Sequence, residues 1–214
     1  MARPQTVTDD EILQTTLDCI LERGSSVSLD VIAGKLGVSA QALLKRFHSK
    51  KELVFAALRP PEDCPWHQLV LAGPTDAPVE EQLHDIAREM SLFFVDIVRR
   101  FAVLRFSGLD PRTMLQSYSE PPPLVDIRVL CEWFDRAAER GLVRSGDHRT
   151  TALMLMSALH TPAMLEDCMG CHPISDDREQ NLKAIVDLLI AGLRPDATPA
   201  HDVTAAPEHD QLTV

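Results

Sequence analysis

A short basic segment holds the residues whose types are best suited to contact with a nucleic acid. Residues 31–51 contain five Lys and Arg but no Asp or Glu, in a chain of 214 residues whose net charge is −11. Because phosphate contacts supply most non-specific affinity for DNA, such contact must be restricted to this segment. Gln41 can make a bidentate contact with adenine, and Ala40 and Leu44 offer apolar contact to a thymine methyl group. The segment therefore predicts a DNA-reading surface.

The spacing of small and apolar residues around this segment predicts two short helices joined by a tight turn. Ala33 is small enough for close helix packing, Gly37 can adopt a left-handed conformation, and Leu43 fills the angle between the helices. This pattern is typical of a helix-turn-helix. The residues expected to contact DNA are Ser28, Ser39, Ala40, Gln41, Leu44, Lys45, Arg46 and Lys50.

The flanking sequence predicts a supporting helix on each side. Thr8 and Glu11 have the spacing of a capping box, and this first helix is expected to stop at Gly24. Ser49 and Glu52 repeat the same spacing. Lys50 then lies in the first turn of the following helix, where backbone N–H groups also favour a phosphate. We therefore expect Lys50 to be the main phosphate contact.

Residues 8–58 resemble the DNA-binding domain of TetR-family transcriptional regulators. The residues that match the family pattern are Gly37, Val38, Ser39, Phe47, Lys50 and Leu53. Two positions depart from it: Leu44 stands where the family usually has Tyr, and Arg46 where it often has His. The tyrosine hydroxyl that commonly contacts a phosphate is thus missing, and we expect Lys45 and Arg46 to replace that contact by charge.

The resemblance implies an all-α protein with two domains. Residues 1–59 would form a three-helix DNA-binding domain with the helix-turn-helix, and residues 60–194 a larger helical domain for effector binding and dimerisation. Residues 195–214 contain acids but no Lys or Arg, and this composition predicts a disordered acidic tail. In the family, a homodimer binds a near-palindromic double-stranded operator and responds to a small-molecule effector. Repression is the commoner mode, and activation stays open.

Helical periodicity in the second domain predicts four long helices and no strand. The expected helices are Val79 to about Phe106, Pro122 to Gly141, His148 to about Glu166, and Ser175 to Leu193. The segment PPEDCPW and the Gly and Pro residues up to Pro78 indicate an irregular region and a hinge. By the resemblance, the last two helices would pack against their symmetry mates as a four-helix bundle.

Bulky residues at helical spacing in the second domain are most often core, but some of them could line a cavity for a hydrophobic or aromatic effector. The side chains that could line an effector cavity are Met90, Phe93, Phe94, Phe101, Phe106, Met114, Trp133, Phe134, Met154 and His160. Their apolar character favours such an effector over a sugar phosphate.

Cys168, Cys171 and His172 have the spacing of a c-type haem attachment site. That chemistry requires export, and the sequence shows no export signal, so we expect no haem or other cofactor. A metal site with His160 or Asp167, a thiol switch using Cys168 and Cys171, and ordinary loop residues remain alternatives. The five cysteines are expected to be reduced thiols in a cytoplasmic protein.

The sequence does not favour catalysis or membrane insertion. It has no Gly-rich phosphate loop, no Gly-x-Ser-x-Gly elbow and no His-Glu-x-x-His helix, so we expect no enzyme. The longest apolar stretch, Ala152 to Leu159, is too short to span a bilayer. A DNA-binding architectural protein that senses no ligand is the alternative that shares the same reading surface.

Overall fold

A computed structural model describes residues 7–60, 64–107, 110–174 and 177–195, apart from the side chain of Phe106. Within those residues the fold consists of helices, as predicted, and contains no strand. The helices are α1 (Asp9–Arg23), α2 (Leu29–Leu36), α3 (Ala40–Phe47), α4 (Lys50–Leu58), α5 (Pro65–Ala72), α6 (Val79–Phe106), α7 (Pro111–Gln116), α8 (Pro122–Glu139), α9 (Arg149–Met169) and α10 (Arg178–Leu193).

The ends of the first helices are set by the residues that the sequence predicts. Thr8 and Glu11 form the reciprocal capping box of α1, which ends at Gly24. Ser39 caps α3 by accepting a hydrogen bond from the Ala42 N–H. Gly37, between α2 and α3, has φ 67° and ψ 25°. This left-handed conformation is strained for most other residues, so the glycine permits the tight turn of the helix-turn-helix.

The helices α1 to α4 share one hydrophobic core. Ile20, Ile32, Leu43 and Leu53 are at most 1% exposed there. Two later helices also contribute to this core: α6 through Leu104 and α7 through Met114. The N-terminal unit, α1 to α4, therefore packs directly onto the end of α6. We call this unit the reading head, and a displacement of α6 would also move it.

A second core lies among α5, α6, α8, α9 and α10. Trp66, Met90, Trp133 and Phe134 are fully buried in it, together with Leu155 from α9. The two cores divide the described chain into a small N-terminal unit and a larger helical body. The exact domain boundaries at residues 59 and 194 stay predictions, and residues 196–214 of the expected tail lie outside the described residues.

Two helices occur where none was expected from the sequence. α5 lies inside the region expected to be irregular, and α7 lies between two predicted helices. Each begins with a proline, Pro65 or Pro111. Proline interrupts a helix interior but suits the first helical position, where its missing N–H has no intrahelical partner. The PPEDCPW segment was interpreted as a helix break, whereas its Pro65 begins α5.

None of the described helices is long and apolar enough to cross a membrane.

Candidate nucleic-acid interface and effector cavity

The outer face of α3 carries the side chains that the sequence assigns to base reading. Leu43 is 1% exposed and fixes the inner face of the helix in the N-terminal core. On the outer face Gln41 and Lys45 are exposed, and Leu44 is 38% exposed although it is a large apolar residue. Ala40, at the start of the helix, is half-buried. The helix thus presents an amide, an aliphatic side chain and a cation side by side.

The basic residues around α3 differ in how far they are already paired. Lys35 forms an ion pair with Glu22 at 2.9 Å, and this hydrogen bond holds the pKa of the Glu22 carboxyl below its usual range. Arg46 donates to the Val7 carbonyl oxygen at 2.6 Å and to the Asp9 carboxylate at 3.2 Å. In this conformation Arg46 ties α3 to the start of α1, whereas the sequence assigned it to phosphate contact.

Three lysines supply the remaining positive charge of this face. Within the described ranges, Lys45, Lys50 and Lys51 have no salt-bridge partner. Lys50 begins α4, whose N-cap Ser49 accepts a hydrogen bond from the Glu52 N–H at 3.1 Å. The backbone N–H groups of this first turn form the positive end of the helix dipole. An anion would thus meet both a side-chain cation and a helix N-terminus.

Ser28 and Ser39 have structural roles as helix caps. The Ser28 hydroxyl accepts from the Val31 N–H at 3.4 Å, and the Ser39 hydroxyl accepts from the Ala42 N–H at 3.2 Å. A capping hydroxyl keeps its own proton free to donate. Contact of either serine with DNA therefore stays a prediction.

An arginine that the sequence analysis missed also connects the reading head to the body. Arg100 on α6 donates to the carbonyl oxygens of Ala57 and Arg59 at 3.0 and 3.2 Å, and its Nε lies 2.5 Å from the Asp96 carboxylate. Beside it, the Arg59 guanidinium lies 4.2 Å above the Tyr118 ring centroid. The i,i+4 spacing of Asp96 and Arg100 was visible in the sequence, but it indicates only an ion pair along α6.

A cavity of about 890 Å³ lies between α6, α8 and α9, with α7 at one side. Four of the residues predicted for an effector cavity line it: Phe93, Phe94, Phe101 and His160. The His160 ring packs edge-on against Phe94, with 5.4 Å between ring centroids. The cavity is thus aromatic along α6 and reaches His160 on α9.

The other residues predicted for the cavity are not part of its described lining. Met90, Trp133 and Phe134 are fully buried in the core of the body, where neighbouring helices already cover them. Met114 packs into the N-terminal core, and Met154 is 60% exposed. Periodicity marks all of them as bulky helical residues but does not distinguish a core face from a cavity wall. The side chain of Phe106 lies outside the described residues.

The cavity wall also contains polar groups that the sequence analysis did not predict. Asp126 on α8 is 5% exposed, and its Oδ1 lies 2.7 Å from Nε2 of His67 on α5. Ser157 and His160 lie three residues apart on α9, and burial lowers the pKa of His160. Arg105 and Arg112 stand at the same wall as exposed side chains. An isolated Asp in a helical pattern gave no signal that it would be buried beside a histidine.

The cysteine motif lies at the end of α9. Cys168 and Cys171 are both exposed thiols, and Cys168 belongs to the cavity wall. Nδ1 of His172 accepts from the Ile174 N–H and lies 3.3 Å from the Asn181 amide nitrogen. Among the described residues, no group of three or more His, Cys, Asp or Glu is arranged to hold a metal ion. A redox role of the two thiols stays a prediction.

Comparison with known proteins finds a family model that matches the N-terminal helices. Residues 12–57 match the model of the bacterial regulatory proteins of the tetR family. These residues include the whole helix-turn-helix and nearly all of α1 and α4. The resemblance to TetR-family regulators that the sequence indicates is therefore confirmed for the N-terminal helices.

Solved structures extend the likeness to almost the whole chain. The TetR transcriptional regulator SCO0520 from Streptomyces coelicolor is 24% identical, with 89% of this chain and all of that chain covered and a TM-score of 0.55. A candidate TetR-family regulator from Mesorhizobium loti is 20% identical over 87% of this chain and 96% of that chain, with a TM-score of 0.68. The flavonoid-responsive regulator FrrA is 21% identical over 88% and 98%, with a TM-score of 0.57. No curated protein matches the sequence.

These likenesses establish the fold of the body as well as that of the reading head. The fold is that of TetR-family transcriptional regulators, with the helix-turn-helix at the N-terminus and a larger helical region after it, as expected.

Proposed function

We propose that this protein is a homodimeric repressor that binds a near-palindromic operator in the cytoplasm and leaves it when a small molecule fills the cavity of the body. The observation that carries the DNA-binding part is the outer face of α3. Gln41, Leu44 and Lys45 are exposed there, and Lys50 begins the next helix, α4.

Two helix faces support the homodimer. On α9 the exposed side chains Met154 and Met169 are apolar. On α10 Ala184, Leu188 and Ala191 lie on one exposed face, where Leu188 is 76% exposed. Contiguous exposed apolar side chains mark surfaces that bind other proteins. A second copy of the chain would cover them and would place two copies of α3 on successive turns of a duplex.

The cavity supports release by an effector. It is bounded by α6, and the same helix contributes Leu104 to the N-terminal core and holds the end of α4 through Arg100. A ligand that separates α6 from α9 would therefore move the reading head as well. A ligand shifts this equilibrium only by its differential affinity for the two conformations.

An experiment with paired variants tests the DNA-binding assignment. Lys50→Ala should weaken binding to every duplex and reduce the salt slope by about one unit, because one phosphate contact is lost. Gln41→Ala should cost about 1–3 kcal/mol at one base position and leave binding to random DNA nearly unchanged. Arg88→Ala on α6 is the control, since it removes an exposed cation that pairs with Asp85 and belongs to neither the DNA-reading surface nor the proposed dimer helices. The assignment fails if Lys50→Ala and Arg88→Ala behave alike, or if Gln41→Ala affects all duplexes equally.

A further inference from the structure

The cavity wall is apolar over most of its surface but has a distinct polar part. Phe93, Phe94 and Phe101 form an aromatic wall along α6. A volume of about 890 Å³ falls within the range of small-molecule sites, roughly 300–1,000 Å³. In such sites a few polar groups fix the orientation of an otherwise apolar ligand. Which polar groups face this cavity therefore indicates the chemistry of its ligand.

Asp126 is the buried charged group of the wall. It is 5% exposed, and one of its carboxylate oxygen atoms, Oδ1, lies 2.7 Å from Nε2 of His67. A carboxylate can accept about four hydrogen bonds, and a buried carboxylate is stable only when it is well hydrogen-bonded. Asp126 can thus accept a further hydrogen bond from a ligand in the cavity. An anionic ligand would instead be repelled by it.

His160 on α9 supplies the complementary group. Burial lowers the pKa of His160, so the ring is neutral near pH 7 and carries one N–H donor and one acceptor nitrogen. It packs against Phe94 by its ring edge, and none of the described residues forms a hydrogen bond or ion pair with it. Its N–H is thus able to donate to a ligand in the cavity that Asp126 also lines.

The exposed charged residues at the cavity wall favour neither an anionic nor a cationic ligand. Arg105 and Arg112 are basic, Asp110 and Asp167 are acidic, and all four are exposed. Asp110 is already used as the cap of α7, where it accepts from the Arg112 N–H at 2.9 Å. A charged ligand would lose its hydration without meeting an excess of opposite charge, which is costly.

We infer that the cavity binds an uncharged aromatic molecule that carries a hydroxyl group, with the hydroxyl donating to Asp126 and accepting from the His160 N–H. A hydroxyl is the simplest uncharged group that both donates and accepts. The part of this inference that makes the molecule an effector rests on the proposed function, whereas the selectivity of the cavity does not.

Four probes with the same ring system test this selectivity by titration calorimetry on the full chain. They are 2-naphthol, 2-methoxynaphthalene, 2-naphthoate and naphthalen-2-ylmethylammonium. We expect 2-naphthol to bind at least tenfold more tightly than each of the others. The methoxy compound is the critical comparison, because it keeps the ring and the oxygen but cannot donate.

Variants locate the site and the two hydrogen bonds. His160→Leu and Asp126→Asn should each reduce the preference for 2-naphthol over 2-methoxynaphthalene to less than threefold. Ser157→Trp, which places a large side chain at the cavity wall, should abolish binding of both probes. His84→Leu is the matched control: this histidine pairs with Glu179 outside the cavity wall and its loss should change nothing. Should Asp126→Asn fail to fold, His160→Leu decides alone.

The inference is overturned if 2-methoxynaphthalene or either charged probe binds as tightly as 2-naphthol. It is also overturned if the preference survives His160→Leu, or if Ser157→Trp leaves it intact. The failure of the proposed function is distinguishable from these outcomes. If 2-naphthol binds with the expected preference but the protein selects no DNA sequence, the regulator is refuted and the ligand chemistry stands. If the protein releases specific DNA equally well with the charged probes, the ligand chemistry fails alone.

Discussion

The guanidinium of Arg100 donates a 3.0 Å hydrogen bond to the carbonyl oxygen of Ala57 and so joins the body to the last turn of α4. The side chain of Arg100 is only 12% exposed. Ile97 and Phe101, which lie close to Arg100 in the sequence of α6, line the cavity. One short stretch of helix thus contacts both the space for a ligand and the helix that follows the recognition helix.

Replacing Arg100 should loosen this junction. Arg100→Ala should lower the free energy of unfolding by about 2 kcal/mol, since bonds from a charged donor contribute about 1.5–3 kcal/mol. Arg100→Lys should recover part of the loss, because an ammonium keeps the charge but cannot reproduce the forked geometry. Urea unfolding measures both values.

The neighbouring Arg99 offers the control for this pair. It is exposed on the same helix, and Arg99→Ala should change stability by less than about 0.5 kcal/mol. An equal loss in the Arg99 and Arg100 variants would contradict the assigned role of Arg100.

Replacing Gly73 by a residue with a side chain should destabilise the protein. Its φ is 87°, and a Cβ atom there would lie 2.8 Å from Nη1 of Arg136. Arg136 itself donates to the carbonyl oxygens of Val70 and Leu71 at the end of α5. Gly73→Ala should therefore destabilise the protein by about 2 kcal/mol through backbone strain and displacement of this arginine.

Gly34 lies inside α2 with nothing within 4 Å of its Cβ position. Gly34→Ala should raise the thermal midpoint slightly, since Ala is favoured over Gly in a helix by up to about 1 kcal/mol. Thermal unfolding of both variants checks the pair. A stable Gly73→Ala protein would contradict the close packing of Arg136 on that loop.

The apolar face of α10 should control assembly. Leu188→Asp places a charge where a dimer would bury an apolar side chain, and this should convert the protein to a monomer at micromolar concentration. Size-exclusion chromatography with light scattering gives the mass. Leu71→Asp on α5 is the comparison, because Leu71 is also exposed, at 58%, but belongs to neither predicted dimerisation helix. Dimers of the Leu188 variant would show that another surface is used.

The cysteines should react with iodoacetamide in an order that follows their surroundings. Cys168 and Cys171 are exposed and should be alkylated first. Burial and then the charge of Asp135 raise the pKa of Cys131, which reduces its thiolate fraction and slows the reaction. Cys19 and Cys64 are at most 2% exposed and should react only on unfolding. Peptide mass mapping over time follows each site, and early alkylation of Cys19 would contradict the packing of α1.

The reading head could be predicted from the sequence because its signals are local. Thr8, Gly24, Gly37 and Ser39 act through their own backbone or that of neighbours a few residues away, and the structure confirms each of them as a helix end or turn. The start of α5 at Pro65 was missed because a proline can either interrupt a helix or begin one.

The cavity could be predicted only in part, because its wall depends on which helices meet. Phe94 and Met90 lie one turn apart on α6 and are both bulky, yet only Phe94 reaches the cavity. Arg46 shows the same dependence: the sequence places it beside the DNA surface, whereas tertiary packing brings it to Asp9, 37 positions away. The pairing of His67 with Asp126 spans 59 positions, and no local pattern reports it.

Selection of binding sites from a pool of random duplexes tests the central claim most directly. The purified chain is incubated with the pool at fixed salt, bound DNA is recovered over several rounds, and the enriched sequences are read. We expect a near-palindromic site whose half-site centres lie about 34 Å or a multiple of a turn apart, and Gln41→Ala should relax the preference at one position in each half. A pool that remains random, or a Gln41→Ala protein that selects the same site with the same preference at every position, would contradict the assignment of α3 as the helix that reads DNA.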